Sequence, residues 1–275
     1  MHIVGDEEHY PLSPTAAYKP STYTVSQAMA FESSVGASNV VIVQPSIYGH
    51  DNSCLLDALR VLGPGRARGV VALAPENKTF SIVRLREWHE LGVRGVRLNI
   101  KSTGDLVARE DVEVELRRCA DAVRPLGWII QLYIPLNMVR ALEHIIPTLG
   151  VRICIDHMGA PGLKSHLPTN LPLDPYSLEG FDSLIRLLGE GNTFVKMSAP
   201  YRLSENDDFI GHVEPIAREI LRVAPKRVVF ATDWPHTRFE GLDIRPWITA
   251  VINWCDGDQQ LADSIFRDNA KELWT

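Results

Sequence analysis

The chain has 275 residues, 45% of them apolar and 23% charged, with 28 basic against 34 acidic residues and a net charge of -6. Its basic residues form no run, Arg66 and Arg68 coming nearest, so nucleic acid and anionic membrane surfaces are excluded as expected partners. The longest apolar runs, 39–43 and 128–134, fall far short of the ~20 residues of a membrane helix. Four cysteines, Cys54, Cys119, Cys154 and Cys255, show no CxxC spacing. They read as reduced thiols of a cytoplasmic protein, and no signal peptide is visible.

Residues 1–5 are apolar enough to be the last part of a strand. A polar, Pro-rich loop over 6–20 and a helix-like stretch over 24–35 follow. Apolar, β-branched runs then recur at 39–46, 68–74, 93–100, 127–134, 152–157, 193–198 and 227–233. Near-continuous runs of this kind suit parallel strands covered on both faces. The intervals 81–91, 112–123, 138–146, 180–188 and 213–223 carry helical apolar spacing, as at Ile82, Leu85, Trp88 and Leu91. Gly or Pro closes several of them, as at Gly63-Pro64, Gly92, Pro125, Gly150 and Pro225.

Strict alternation predicts an α/β fold with a parallel sheet, read as one (β/α)8 TIM barrel domain over 1–275. A flavodoxin-like sheet of ~5 strands is the alternative. A barrel needs eight strands, so the first strand is expected to be truncated. A gap or substitute segment should then lie between the second and eighth strands at the bottom. The exposed edges lead us to expect lower stability or a homo-oligomer. The Pro- and Gly-rich segment 159–175 is expected to form a lid or wall loop.

Polar residues gather at the C-terminal ends of these strands, where a barrel carries its active site. By alternation, Val229, Ala231 and Asp233 share one face, as do Ile153, Ile155 and His157, Gly95, Arg97 and Asn99, and Ile129, Gln131 and Tyr133. Asp, His, Arg and Tyr side chains facing one mouth could bind a carboxylate and activate water. Each also has a plainer reading. Asp233 could cap the turn before Trp234-Pro235, His157 could be a satisfied core histidine, and Arg97 a salt-bridged core residue. Arg202 could lie at the surface and His236 in a loop. Asp156 reads as a loop anchor, and the face taken by Lys196 is open. His9, His50, His89, His144, His166 and His212 read as surface or loop residues.

The pieces Gln44-Pro-Ser-Ile-Tyr-Gly-His-Asp-Asn52, Gly95-Val-Arg97, Ile155-Asp-His-Met-Gly159, Ser198-Ala-Pro-Tyr-Arg202, Thr232-Asp-Trp-Pro-His236 and Asp268-Asn-Ala-Lys-Glu-Leu273 occur in that order. Together they resemble the amidohydrolase-related family, within it the 2-pyrone-4,6-dicarboxylate lactonase-like hydrolases, over nearly the whole chain. The resemblance implies a distorted (β/α)8 barrel. Its reaction centre would match His157, Asp233 and, from a first-strand Asp-x-His-x-His motif, His2. The motif's Asp and first His have no counterpart here. A second arginine expected soon after Arg97 is also missing, Lys101 being the nearby cation, which suggests an acid substrate with one carboxylate.

The resemblance implies a metal-independent hydrolase, without cofactor, acting on a lactone or related cyclic ester of a small carboxylic acid. Asp233 would be the general base, and His157 and His2 would polarise the carbonyl. Arg97, Arg202, Tyr133, Ser46 and His236 would hold substrate oxygens. Two alternatives stand beside it. One is a Zn-dependent lactone hydrolase or aromatic-acid decarboxylase with one Zn²⁺ on His2, His157 and Asp233. The other is a non-catalytic barrel that only binds a small acid.

Overall fold

The computed structural model describes residues 1–74, 81–101, 108–163 and 173–275. His166, the middle of the expected lid loop and the two residues after Lys101 lie outside the described residues.

Each of the seven apolar runs coincides with a strand, β2 beginning one residue earlier than expected: β1 (Val40–Val43), β2 (Ala67–Val71), β3 (Val93–Asn99), β4 (Ile129–Tyr133), β5 (Ile153–Ile155), β6 (Thr193–Met197) and β7 (Val228–Phe230). They form one parallel sheet in sequential order, β1 to β7. Sequential order sets aside the flavodoxin-like alternative, whose strand order reverses at a switch point. The sheet curls into a barrel-like α/β fold with helices around it.

The first helices are α1 (Val25–Ser34), α2 (Ser53–Leu62), α3 (Ile82–Glu90), α4 (Arg109–Val123) and α5 (Leu136–Leu142). Then come α6 (Phe181–Gly189), α7 (Phe209–Val223), α8 (Arg245–Asn253), α9 (Gln259–Asp263) and α10 (Asn269–Leu273). Thr24 opens α1 with a capping box completed by Gln27, and Ser81 and Asp208 cap α3 and α7. The expected helix over 138–146 is shorter and shifted. It ends at Leu142, and a 3-10 turn, Ile146–Leu149, replaces its end. Pro147 has no N–H with which to continue the helical ladder. Among the described residues no helix is long and apolar enough to cross a membrane.

Among the described residues no strand lies between β7 and β1. Met1 and His2 occupy that place. The Met1 amine donates to the Val41 carbonyl at 3.1 Å, and the Val43 amide donates to the Met1 carbonyl at 2.9 Å. This is the alternation of a parallel ladder. On the other side the His2 amide donates to the Trp234 carbonyl at 2.8 Å. The segment thereby joins β1 to the chain that continues β7, and it sets His2 at the top of the sheet.

The inward faces are layered. Val43, Val70, Ile129, Cys154, Phe194 and Val229 form an apolar interior cluster, which Leu273 and Trp274 of the C-terminus join. Gly95 makes room for them: a Cβ there would lie 2.9 Å from Ile129 Cγ1 and 3.4 Å from the Trp274 ring. Arg68 Nε donates to the Trp274 carbonyl at 3.2 Å from the start of β2. The C-terminus therefore stoppers the barrel at the N-terminal ends of its strands. Two residues further along β3 to β6 the same inward face becomes charged or polar, at Arg97, Gln131, Asp156 and Lys196.

Candidate active site

Two adjoining hollows of about 280 and 360 Å³ open at the C-terminal ends of the strands, and His2, Arg97, His157 and Asp233 line both. Gln131, Asp156, Lys196 and Ser198 line the deeper one. The outer one is lined by Tyr18, Ser46, Asn99, Tyr133, Arg202, Thr237 and Arg238 among others.

Asp233 sits at the centre, buried, with φ at 59°. Its Oδ2 accepts from Tyr201 Oη at 2.8 Å and from Arg202 Nε at 2.7 Å. Its Oδ1 faces His2 Nε2 at 3.8 Å and His157 Nε2 at 4.0 Å. Burial alone would raise its pKa, but Arg202, with His157 and His2, holds the carboxyl far below the usual carboxylate range. Burial pushes the His157 imidazole down to about 4. Burial and then Arg97 push His2 down to about 3. Both rings are therefore neutral at pH 7.

His2 Nδ1 lies 2.8 Å from the Val43 carbonyl. A carbonyl only accepts, so the ring proton of neutral His2 is at Nδ1, and Nε2 offers a lone pair. In that form His2 would offer a lone pair, not the N–H that polarising a substrate carbonyl calls for.

His157 reaches the cavity by a route that strand alternation did not foresee. Ile153 and Ile155 pack in the outer core with the helices, while Cys154 faces the interior. A left-handed turn at His157 (φ 53°) and Met158 (φ 54°) swings the imidazole into the site. Such backbone costs on the order of 1–3 kcal/mol per residue and persists where its surroundings hold it. Tyr133 meets the ring edge-on at 4.9 Å between centroids.

Asp156 also departs from expectation. It is buried and turned inward, with Lys196 Nζ at 3.0 Å, Gln131 Nε2 at 2.9 Å and Arg97 at 3.6 Å. Burial would raise its pKa, and Lys196 with the neighbouring cations lowers it instead. Lys196 thus faces the interior. Arg97 donates to the Gln44 carbonyl at 3.0 Å and stands 5.7 Å from the Tyr133 ring centre. Among the described residues its Nε and Gln131 Oε1 are buried without a partner.

Ser46, Tyr133, Arg97 and Arg202 line the mouth. His236 lies outside that set. At φ 60° its ring turns away, donates to the Thr232 carbonyl at 3.1 Å and packs on Tyr201 and Phe31. The expected substrate contact at His236 is therefore corrected to a loop anchor. Sequence reasoning missed Tyr18, Arg238 and Ser198. Tyr18 lies in the loop that follows the Met1–His2 segment, and loops at that end of a barrel sheet supply site residues. That was its available signal.

Comparison with known proteins adds the following. A family model described as Amidohydrolase matches residues 1–275. A 2-pyrone-4,6-dicarboxylate hydrolase of Comamonas testosteroni is 29% identical over 245 residues, covering 86% of this chain and 75% of that protein. A 4-sulfomuconolactone hydrolase of Hydrogenophaga intermedia is 29% identical over 243 residues, covering 87% and 74%. A crystal structure of a proposed 2-pyrone-4,6-dicarboxylic acid hydrolase from Pseudomonas putida superposes with a TM-score of 0.79 at 27% identity, covering 99% and 94%.

A zinc ion on His2, His157 and Asp233 can be tested against these donors. Ligands sharing one Zn²⁺ at ~2.0–2.1 Å stand roughly 3.3 Å apart in a tetrahedron. The two histidine nitrogens stand 3.8 and 4.0 Å from Asp233 Oδ1. Arg202 already neutralises the Asp233 charge, and among the described residues no group of three His, Cys, Asp or Glu side chains could hold a metal. The donors as arranged do not fit a metal centre.

Proposed function

The chain belongs to the amidohydrolase family, and on that premise we propose that it hydrolyses a lactone of a small carboxylic acid without a metal, using Asp233 as the base. The relatives named for 2-pyrone-4,6-dicarboxylate and 4-sulfomuconolactone support the substrate class. The observation that carries the mechanism is the divided Asp233 carboxylate. One oxygen is tied to Tyr201 and Arg202, and the other faces two neutral imidazoles at 3.8 and 4.0 Å on the wall of the hollow.

Arg97 and Arg202, with Tyr133 and Ser46, hold the substrate carboxylate and carbonyl oxygens at the mouth. Water at Asp233 Oδ1 gives up a proton to it and attacks the lactone carbonyl carbon. The tetrahedral intermediate collapses with cleavage of the bond to the ring oxygen, and Asp233 passes that proton to the leaving oxygen. A carboxylate held as acidic as Asp233 is a weak base in the ligand-free site. A substrate carboxylate on Arg202 shares the guanidinium charge, which raises the basicity of Asp233 as substrate binds.

The test is a panel of mono- and dicarboxylate lactones assayed with and without EDTA, alongside metal analysis of the protein purified without chelator. Turnover that persists in EDTA is expected. Activity lost with EDTA and restored by Zn²⁺ would replace this reading with the metal-dependent one.

A further inference from the structure

We propose that Ser198 is a positioning residue that fixes the proton of His157 at Nε2, so that the two histidines of the site hold opposite tautomers. His157 then offers an N–H to the cavity, and His2 offers a lone pair.

Ser198 directly follows β6 and is fully buried. Its Oγ lies 2.7 Å from His157 Nδ1, and among the described residues its hydroxyl has no other hydrogen-bond partner. A hydroxyl carries one proton, and a buried hydroxyl that leaves it unused bears the desolvation penalty of an unmade bond. Were His157 protonated at Nδ1, that ring N–H would donate to Oγ and the serine proton would have no acceptor. With Oγ–H donating to Nδ1, both groups are satisfied. The single ring proton of neutral His157 then lies at Nε2.

The opposite holds across the cavity. The Val43 carbonyl at 2.8 Å takes the Nδ1 proton of His2, which leaves a lone pair at Nε2. That lone pair faces Asp233 Oδ1 at 3.8 Å, and two acceptors so placed call for a shared donor. A water between them donates one proton to each and keeps its own lone pair for the carbonyl carbon. His157 Nε2, at 4.0 Å, is too far from the same Oδ1 to bond it and keeps its N–H for a carbonyl oxygen in the hollow. One side of the site thus binds the nucleophile by accepting, and the other steadies the developing oxyanion by donating. This assignment of labour rests on the lactone-hydrolase reading above, whereas the tautomers themselves do not.

Two measurements test it. Nitrogen-15 NMR of histidine-labelled protein at pH 7, with ring signals assigned through His2→Asn and His157→Asn, reads each proton directly. The expected result is His157 protonated at Nε2 and His2 at Nδ1. His157 protonated at Nδ1, or both rings in one tautomer, would overturn the proposal whatever the enzyme hydrolyses. In steady-state assays Ser198→Ala should lower kcat roughly 10-fold or more with KM nearly unchanged, and Ser198→Thr, which keeps the hydroxyl, should recover most of it. An unchanged kcat in Ser198→Ala, or no recovery in a folded Ser198→Thr, would refute the positioning role. If no lactone in the panel is turned over by the native protein, the functional reading fails while the NMR result still decides the tautomers.

Discussion

Arg202 Nε lies 2.7 Å from Asp233 Oδ2, so the guanidinium neutralises the carboxylate while leaving Oδ1 open to the cavity. The pair divides the labour of one side chain between anchoring and reactivity. Asp233→Asn should therefore keep the fold, since the amide oxygen can still accept from Tyr201 or Arg202, but it has no basic oxygen for water. We expect kcat to fall on the order of 10²-fold or more, the scale of general-base effects. Steady-state kinetics with circular dichroism as a fold check would show it. Full turnover in the amide variant would take Asp233 out of the chemistry.

Substrate charge is the next expectation. Arg97 donates to the Gln44 carbonyl through Nη1 and lines both hollows, so its guanidinium stands where a substrate carboxylate would bind. A hydrogen bond to a charged group contributes roughly 1.5–3 kcal/mol, or about 10- to 100-fold in binding. Methyl esters of the preferred acid should bind more weakly by that factor. Arg97→Lys should weaken binding as well, because an ammonium cannot reproduce a planar fork that spans Gln44, Asp156 and substrate. Inhibition constants for matched acid and ester pairs decide it, and equal values would rule out carboxylate recognition.

Stability should depend on pH through the two buried imidazoles. Burial lowers His157 from 6.5 to about 4, and burial with Arg97 lowers His2 from 6.5 to about 3. Above pH 6.5 neither the folded nor the unfolded chain protonates them, and the full stability is present. Below pH 6.5 the unfolded chain binds protons that the folded chain refuses, so stability falls with falling pH, down to about 4 for His157 and about 3 for His2. For His157 the loss across its window is on the order of 3 kcal/mol. Melting temperatures measured from pH 8 to 4 should be level at first and then decline below about 6.5. The decline should be shallower in His157→Asn. A native protein equally stable at pH 7 and pH 4.5 would contradict neutral burial of these rings.

The strands were legible because a parallel strand covered on both faces must be apolar nearly throughout, as 68–74 and 127–134 are. Arg97, Tyr133 and Asp233 were legible because they stand in step with inward-facing Gly95, Ile129 and Val229 on the same strands. His157 was not, since it is in step with Ile153 and Ile155 of the outer core and reaches the site only by a turn at positive φ, and His236 lies well past the end of β7, where alternation no longer says which way a side chain points. His157 enters the cavity by that turn and His236 leaves it by the same device. The inward face of Lys196 depends on pairing with Asp156, a contact between neighbouring strands that a single sequence does not reveal.

The C-terminal stopper gives the last prediction. Leu273 and Trp274 end a short helix whose sequence shows no strand or core periodicity, yet both are buried in the apolar interior of the barrel. The Trp274 ring packs against the position where Gly95 lacks a side chain. Its ring centre is 6.0 Å from Lys196 Nζ, the lysine that pairs with Asp156 beneath the site. Trp274→Ala should open a cavity there and cost roughly 3–5 kcal/mol. At about 2–4 °C per kcal/mol for a chain near this size, the melting temperature should drop by roughly 6–20 °C. Gly95→Ala should destabilise by the opposite route, since its Cβ would stand 2.9 Å from Ile129 Cγ1 and 3.0 Å from the Ile129 carbonyl. The two changes share one space, so they should not be additive: with the indole gone, one of the three atoms nearest the added methyl is gone too. Thermal melts of the two single variants and the double variant close the cycle. A Trp274→Ala protein that melts within about 2 °C of the native one would show that the barrel floor does not depend on this stopper.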